Sequence, residues 1–157
     1  MLRGFFGDLT GRPYIDARIS IPELGIVDEI PFLIDSGADR TYLSAADAAY
    51  IGIDVSKLTN PISVAGVGGS SRAFQQRALL AFTDGRTVSV FAVEMGIASP
   101  SEPPRDAPSL LGRDILARWT LLLDQPRGRI WAKVKGADVT LPHGGAFGLI
   151  APVRQRR

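Results

Sequence analysis

The sequence predicts a mainly β domain with two short helices. Three observations carry this. YIDARISI, residues 14–21, alternates apolar and polar residues at the period of a half-buried strand. The turn formers PELG, TDGRT and PRGR punctuate apolar stretches at hairpin spacing. Helical spacing is confined to SAADAAYIG and GRDILARW. A chain of 157 residues suits one domain, and a hydrophobic share of 45% is enough to fold it.

The elements follow in order. Ile15, Ala17, Ile19 and Ile21 form the inward face of a first strand, with Asp16, Arg18 and Ser20 outward. After PELG, Glu29 to Ile34 reads as a second strand. Its Pro31 gives no ladder hydrogen bond and points to a side left unpaired. Ser44, with Asp47 three residues on, is a capping-box start for a short helix ending near Gly52. PISVAGVGGSSRAFQQRALLAF reads as a long hairpin with a glycine-rich end. TDGRT turns the chain into a strand from Val88 to Met95. Gly96 to Pro108 is rich in Pro and Ser and reads as a surface loop. Leu111, Ile115 and Trp119 recur at four-residue spacing, so a short buried helix follows Gly112. TLLLDQPRGRIWAKV is a last hairpin. These elements make residues 1–135 one domain, followed by a Gly-rich basic extension, 136–157.

Composition removes several function classes. The net charge of +2 gives no electrostatic footprint for nucleic acid. With no cysteine there are no disulfides, thiolate metal sites or thiol nucleophile, and the lone His143 builds no His-rich metal site. No metal and no cofactor are expected. MLRGFFGDLTGRP lacks a sustained apolar core for a signal peptide, and no apolar run nears the roughly 18 residues a spanning helix needs. The expectation is a cytoplasmic protein with no membrane partner.

The chemistry concentrates at FLIDSGADRTYLS, residues 32–44, where an apolar strand runs straight into Asp35. Burying a lone carboxylate is costly, so such an aspartate has either a partner or a catalytic task. Ser36 supplies a hydroxyl beside it, and Gly37 suits a sharp turn or a close backbone approach. AGVGGSS, residues 65–71, is a poor phosphate cradle: no Lys-Ser/Thr ending follows it and no helix is signalled next. LLGRD, residues 110–114, sets Arg113 in an apolar stretch, where an Arg usually pairs with a carboxylate.

Together and in this order, DSGAD with TYL, SVAGVGGSS and LLGRDIL resemble the retropepsin-like aspartic proteases, in particular their cellular and bacterial members. The resemblance runs from about Tyr14 to about Trp131. It implies a closed β-barrel or sandwich half with a flap hairpin and two short helices. There is a single Asp-Ser/Thr-Gly motif, which implies the half-sized form that works as a homodimer. On that resemblance Asp35, Ser36 and Gly37 are catalytic, and the partner of Asp35 is Asp35 of a second copy. Ala38 and Asp39 bind substrate main chain, and Asp39 pairs with a buried Arg113. Gly66, Val67, Gly68 and Gly69 form the flap over an extended peptide substrate. The implied activity is an aspartic endopeptidase. The alternative is a catalytically silent peptide-binding module of the same fold.

Overall fold

The computed structural model of the chain describes residues 1–7, 9–66, 69–100 and 107–146. Its strands are β1 (Leu2–Phe6), β2 (Pro13–Ile21), β3 (Ile26–Ile34) and β4 (Tyr42–Leu43), then helix α1 (Ala45–Tyr50). Next come β5 (Pro61–Gly66), β6 (Gly69–Thr83), β7 (Thr87–Ala98), β8 (Leu110–Leu111) and helix α2 (Arg113–Leu116). The hairpin β9 (Trp119–Asp124) and β10 (Arg129–Val134) follows, then β11 (Val139–Pro142) and one helical turn, His143–Ala146. The mainly β class with short helices is as predicted.

Alternation sets the register. β2 and β3 pair antiparallel with Tyr14 opposite Leu33 and Ile21 opposite Ile26, which turns Ile15, Ala17, Ile19 and Ile21 into the core. The second edge of β3 is engaged by β8 only at Leu33 and Ile34, so Pro31 lies on a stretch paired on one side. β6 and β7 form the longest ladder, from Ala73 opposite Ala98 to Thr83 opposite Val88. β7 therefore continues three residues past Met95, and the surface loop begins later than its composition suggests. The central residues of that loop, 101–106, lie outside the described residues.

The ladders close on themselves. The order β6-β7-β4-β8-β3-β2 is completed by β2 pairing β6 through Arg18–Ala81, Ile19–Leu80 and Ser20–Leu79. This ring encloses fully buried Ile19, Phe32, Leu43, Leu80, Met95 and Ile97. Each such side chain contributes roughly 1.5–3 kcal/mol of burial. In the same core the rings of Phe82, Phe91 and Trp119 pack edge to face with centroids 4.9–6.0 Å apart. From β2 the sheet continues through β1 and β10 to β9, its terminal strand.

Both helices start where the sequence places them. The Ser44 hydroxyl accepts from Asp47 N at 3.1 Å, capping α1. α2 starts directly after Gly112 and buries Ile115 completely. Part of the C-terminal segment joins the sheet: β11 pairs the start of β7, with Val139 opposite Val90 and Pro142 opposite Thr87. No described helix is long and apolar enough to cross a membrane.

Candidate active site

Asp35 is the first residue past β3. Ile34 beneath it is buried, whereas Asp35 is half-buried and Ser36 and Gly37 are exposed. The strand thus lifts one carboxylate out of the core onto an open turn. Asp35 Oδ1 accepts from Gly37 N at 2.8 Å, and Ala38 N donates to Asp35 O at 3.2 Å. Among the described residues the carboxylate has no other hydrogen bond and no ion pair. Gly37 does not take a positive φ, so turn geometry does not require it. A methyl group there would instead press on Asp35 Oδ1 at 3.1 Å.

The turn is held from below by the chain that returns much later in the sequence. β8 runs parallel to β3, and Asp35 N donates to Leu111 O at 3.1 Å. Arg113 N donates to Ala38 O at 2.9 Å. Asp114 then binds the buried Thr41 twice: Thr41 N donates to Oδ2 at 2.9 Å and Thr41 Oγ1 to Oδ1 at 2.8 Å. Thr41 Oγ1 in turn accepts from Gly112 N at 3.2 Å. A Cβ on Gly112 would lie 2.3 Å from the Arg40 carbonyl carbon, so only glycine lets the two backbones come this close.

The ion pair between Arg113 and Asp39 is present. It does not match the sequence expectation of a buried Arg, because in the single chain the two side chains are 59% and 79% exposed. α2 is one turn long and buries Ile115, which leaves the neighbouring Arg113 facing outward. Gly66 and Gly69 pair with each other at the end of the β5–β6 hairpin, and both are exposed. No hydrogen bond joins either to the Asp35 turn among the described residues. Val67 and Gly68 lie outside the described residues.

Sequence reasoning missed the roles of Thr41, Gly112 and Asp114 as the clamp on the turn. The signal was present as a hydroxyl residue after DSGADR and an acid after Gly-Arg, but their meeting depends on the parallel β3–β8 pairing. It also missed a second tie. Ser109 Oγ, fully buried, accepts from Ser44 N at 2.9 Å and donates to Asp47 Oδ2 at 2.6 Å, joining the chain before β8 to α1.

Three carboxyls outside the turn are held below the usual range. Ser56 hydrogen bonds lower Asp54, the Thr87 and Arg86 N–H groups lower Asp84, and Arg118 with Ala92 N–H lowers Asp138. Two surface clefts, one between β1, β7, β10 and β11 and one beside Gly128–Trp131, do not include the Asp35 turn. No group of three or more His, Cys, Asp or Glu among the described residues is arranged to hold a metal.

The chain is similar to known proteins in sequence pattern and fold. A family profile for the gag-polyprotein aspartyl proteases matches residues 27–118, more than half of the chain and inclusive of both β3 and α2. Among solved structures, a retropepsin-like aspartic protease from Rickettsia conorii superposes with a TM-score of 0.51 at 20% identity, covering 81% of this chain and 94% of that one. The EIAV protease complexed with the inhibitor HBY-793 gives a TM-score of 0.47 at 23% identity, covering 71% of this chain and 90% of that one. No curated protein matches. With Asp35 on its turn and the Gly112-Arg113-Asp114 clamp beneath it, the chain belongs to the retropepsin-like aspartic protease family.

Proposed function

We propose that the protein is an aspartic endopeptidase that works as a homodimer, with the Asp35 carboxylates of two copies sharing one site. The observation that carries this reading is Asp35 itself: a carboxylate on an open turn braced by backbone hydrogen bonds from β8 and α2, with no ion pair among the described residues. One chain supplies half of a two-carboxylate site. Two carboxylates held close together cannot both ionise readily, so the pair keeps one proton.

The chemistry then balances without a covalent intermediate. The ionised Asp35 takes a proton from a water between the two carboxylates. The protonated Asp35 hydrogen-bonds the scissile carbonyl oxygen. The water oxygen bonds to the carbonyl carbon, the π pair moves to the carbonyl oxygen, and that oxygen takes the proton of the second carboxyl. The C–N bond breaks as nitrogen takes the proton held by the first carboxyl. A diol hydroxyl returns its proton to the second, and the one-proton pair is restored. Ser36 hydrogen-bonds across the twofold axis, Ala38 and Asp39 bind substrate main chain, and Gly66 to Gly69 close as a flap over an extended peptide.

The test is cleavage of a mixture of denatured peptides from acidic to neutral pH, read by mass spectrometry, with wild type and Asp35→Asn side by side. Wild type is expected to cleave and the variant to lose roughly 10²–10⁴-fold of the rate. Peptide binding without cleavage, unchanged by Asp35→Asn, would contradict the proposal and indicate a silent binding module.

A further inference from the structure

Ser89 is only 6% exposed, yet among the described residues its hydroxyl has no hydrogen-bond partner. A buried hydroxyl left without a partner calls for an explanation. Ser89 lines the cleft between β1, β7, β10 and β11, whose volume of about 340 Å³ suits a small ligand. Thr140 of β11 also lines it and stands directly opposite Ser89 in the ladder. Its hydroxyl is likewise unengaged among the described residues. Leu2, Ala132 and Val134 give the β1–β10 side an apolar lining. Lys133 and Lys135 line it too, both exposed and without an ion pair among the described residues. The acid in the lining, Asp84, is already engaged: its oxygens accept from Met1 N, Arg86 N, Thr87 N and the Thr87 hydroxyl.

We propose that this cleft binds a carboxylate carried on a small apolar body. The groups left free set the chemistry of the ligand. Ammonium groups only donate, and the two hydroxyls are free to donate as well, so the ligand presents acceptors. The unpaired lysines favour an anion there. An inorganic anion would engage these donors and leave Leu2, Ala132 and Val134 against water. A carboxylate with an aliphatic side chain engages the donors and covers the apolar lining. The C-terminus of a peptide ending in a small apolar residue has this chemistry, and so has a free aliphatic acid. Each cleavage by the proposed peptidase would create a new peptide C-terminus. The cleft itself is built without the Asp35 turn, so this inference stands or falls apart from the two-copy reading.

Calorimetric titration of the whole chain at neutral pH tests this with four probes: N-acetylated alanyl-valine as its free acid, the same dipeptide as its amide, butyrate, and inorganic phosphate. The dipeptide acid is expected to bind about tenfold more tightly than its amide or phosphate. Ser89→Ala removes no existing hydrogen bond, so it should melt like wild type and bind the acid about tenfold more weakly. Lys133→Gln combined with Lys135→Gln changes only exposed positions, and should weaken binding and reduce its dependence on added salt. Butyrate binding as tightly as the dipeptide acid would support a free acid as the ligand, and a preference for the dipeptide would support a peptide C-terminus. Equal binding of acid and amide would overturn the proposal. So would phosphate binding as tightly as the acids, no binding of either acid at millimolar concentration, or an affinity unchanged by Ser89→Ala.

Discussion

The Asp114 carboxylate grips Thr41 twice, through the backbone N–H at 2.9 Å and the hydroxyl at 2.8 Å. The two residues are 73 positions apart, so this contact ties the turn that presents Asp35 to the helix that begins at Arg113. Thr41 is fully buried, and removing its acceptor leaves a backbone donor unsatisfied. Asp114→Ala is expected to cost about 1–3 kcal/mol in urea denaturation. Its peptidase rate should fall further than the folded fraction alone explains. A change under about 0.5 kcal/mol would show that the clamp is dispensable.

Two glycines near the turn should behave in opposite ways. Gly112→Ala drives a methyl into the Arg40 backbone, which cannot give way as a flexible side chain would. Thermal melting should show a large loss, about 1–3 kcal/mol or more. Gly37→Ala meets only Asp35 Oδ1. That variant should melt close to wild type and, on the proposed function, lose peptidase activity, because the added methyl presses on the Asp35 carboxylate.

The Ser109 hydroxyl both accepts from Ser44 N and donates to Asp47. Ser109→Ala strands a buried N–H and is expected to lower stability by about 1–3 kcal/mol. An Asp47→Asn variant keeps an acceptor at that position and should lose less. Denaturant titration of the pair separates the hydrogen bond from the charge.

Asp138 gives a pH signature independent of the active site. Its hydrogen bond to Arg118, aided by Ala92 N–H, lowers its folded pKa below the unfolded value. The stabilisation is therefore complete above the ordinary carboxyl value of about 3.9 and is lost as pH falls through the folded value. Asp138→Asn should melt below wild type at neutral pH, with the gap closing below about pH 4. Both side chains of the ion pair are partly exposed, so the gap should be modest and shrink with added salt.

Local signals in the sequence carried most of the fold. Period-two alternation gave β2, Ser44 with Asp47 gave α1, and TDGRT and PRGR gave two hairpins, because each depends on neighbouring residues. β1 was missed: LRGFF does not alternate, and its partners β2 and β10 lie at opposite ends of the chain. β11 was missed because VTLP is short and its place is set by β7. The step from buried strand to turn at Asp35 was legible, because an apolar run ends there in Asp-Ser-Gly. The clamp beneath it was not, since Thr41 and Asp114 become neighbours only when the two-residue β8 inserts between β3 and β4.

The central claim is that catalysis needs Asp35 from two copies. The most direct test co-refolds wild type with increasing fractions of Asp35→Asn at fixed total concentration and measures cleavage of one identified peptide. A shared site predicts that activity falls as the square of the wild-type fraction, to about a quarter in an equal mixture. A linear fall, to about half, would mean that each chain carries a complete site and would contradict the account.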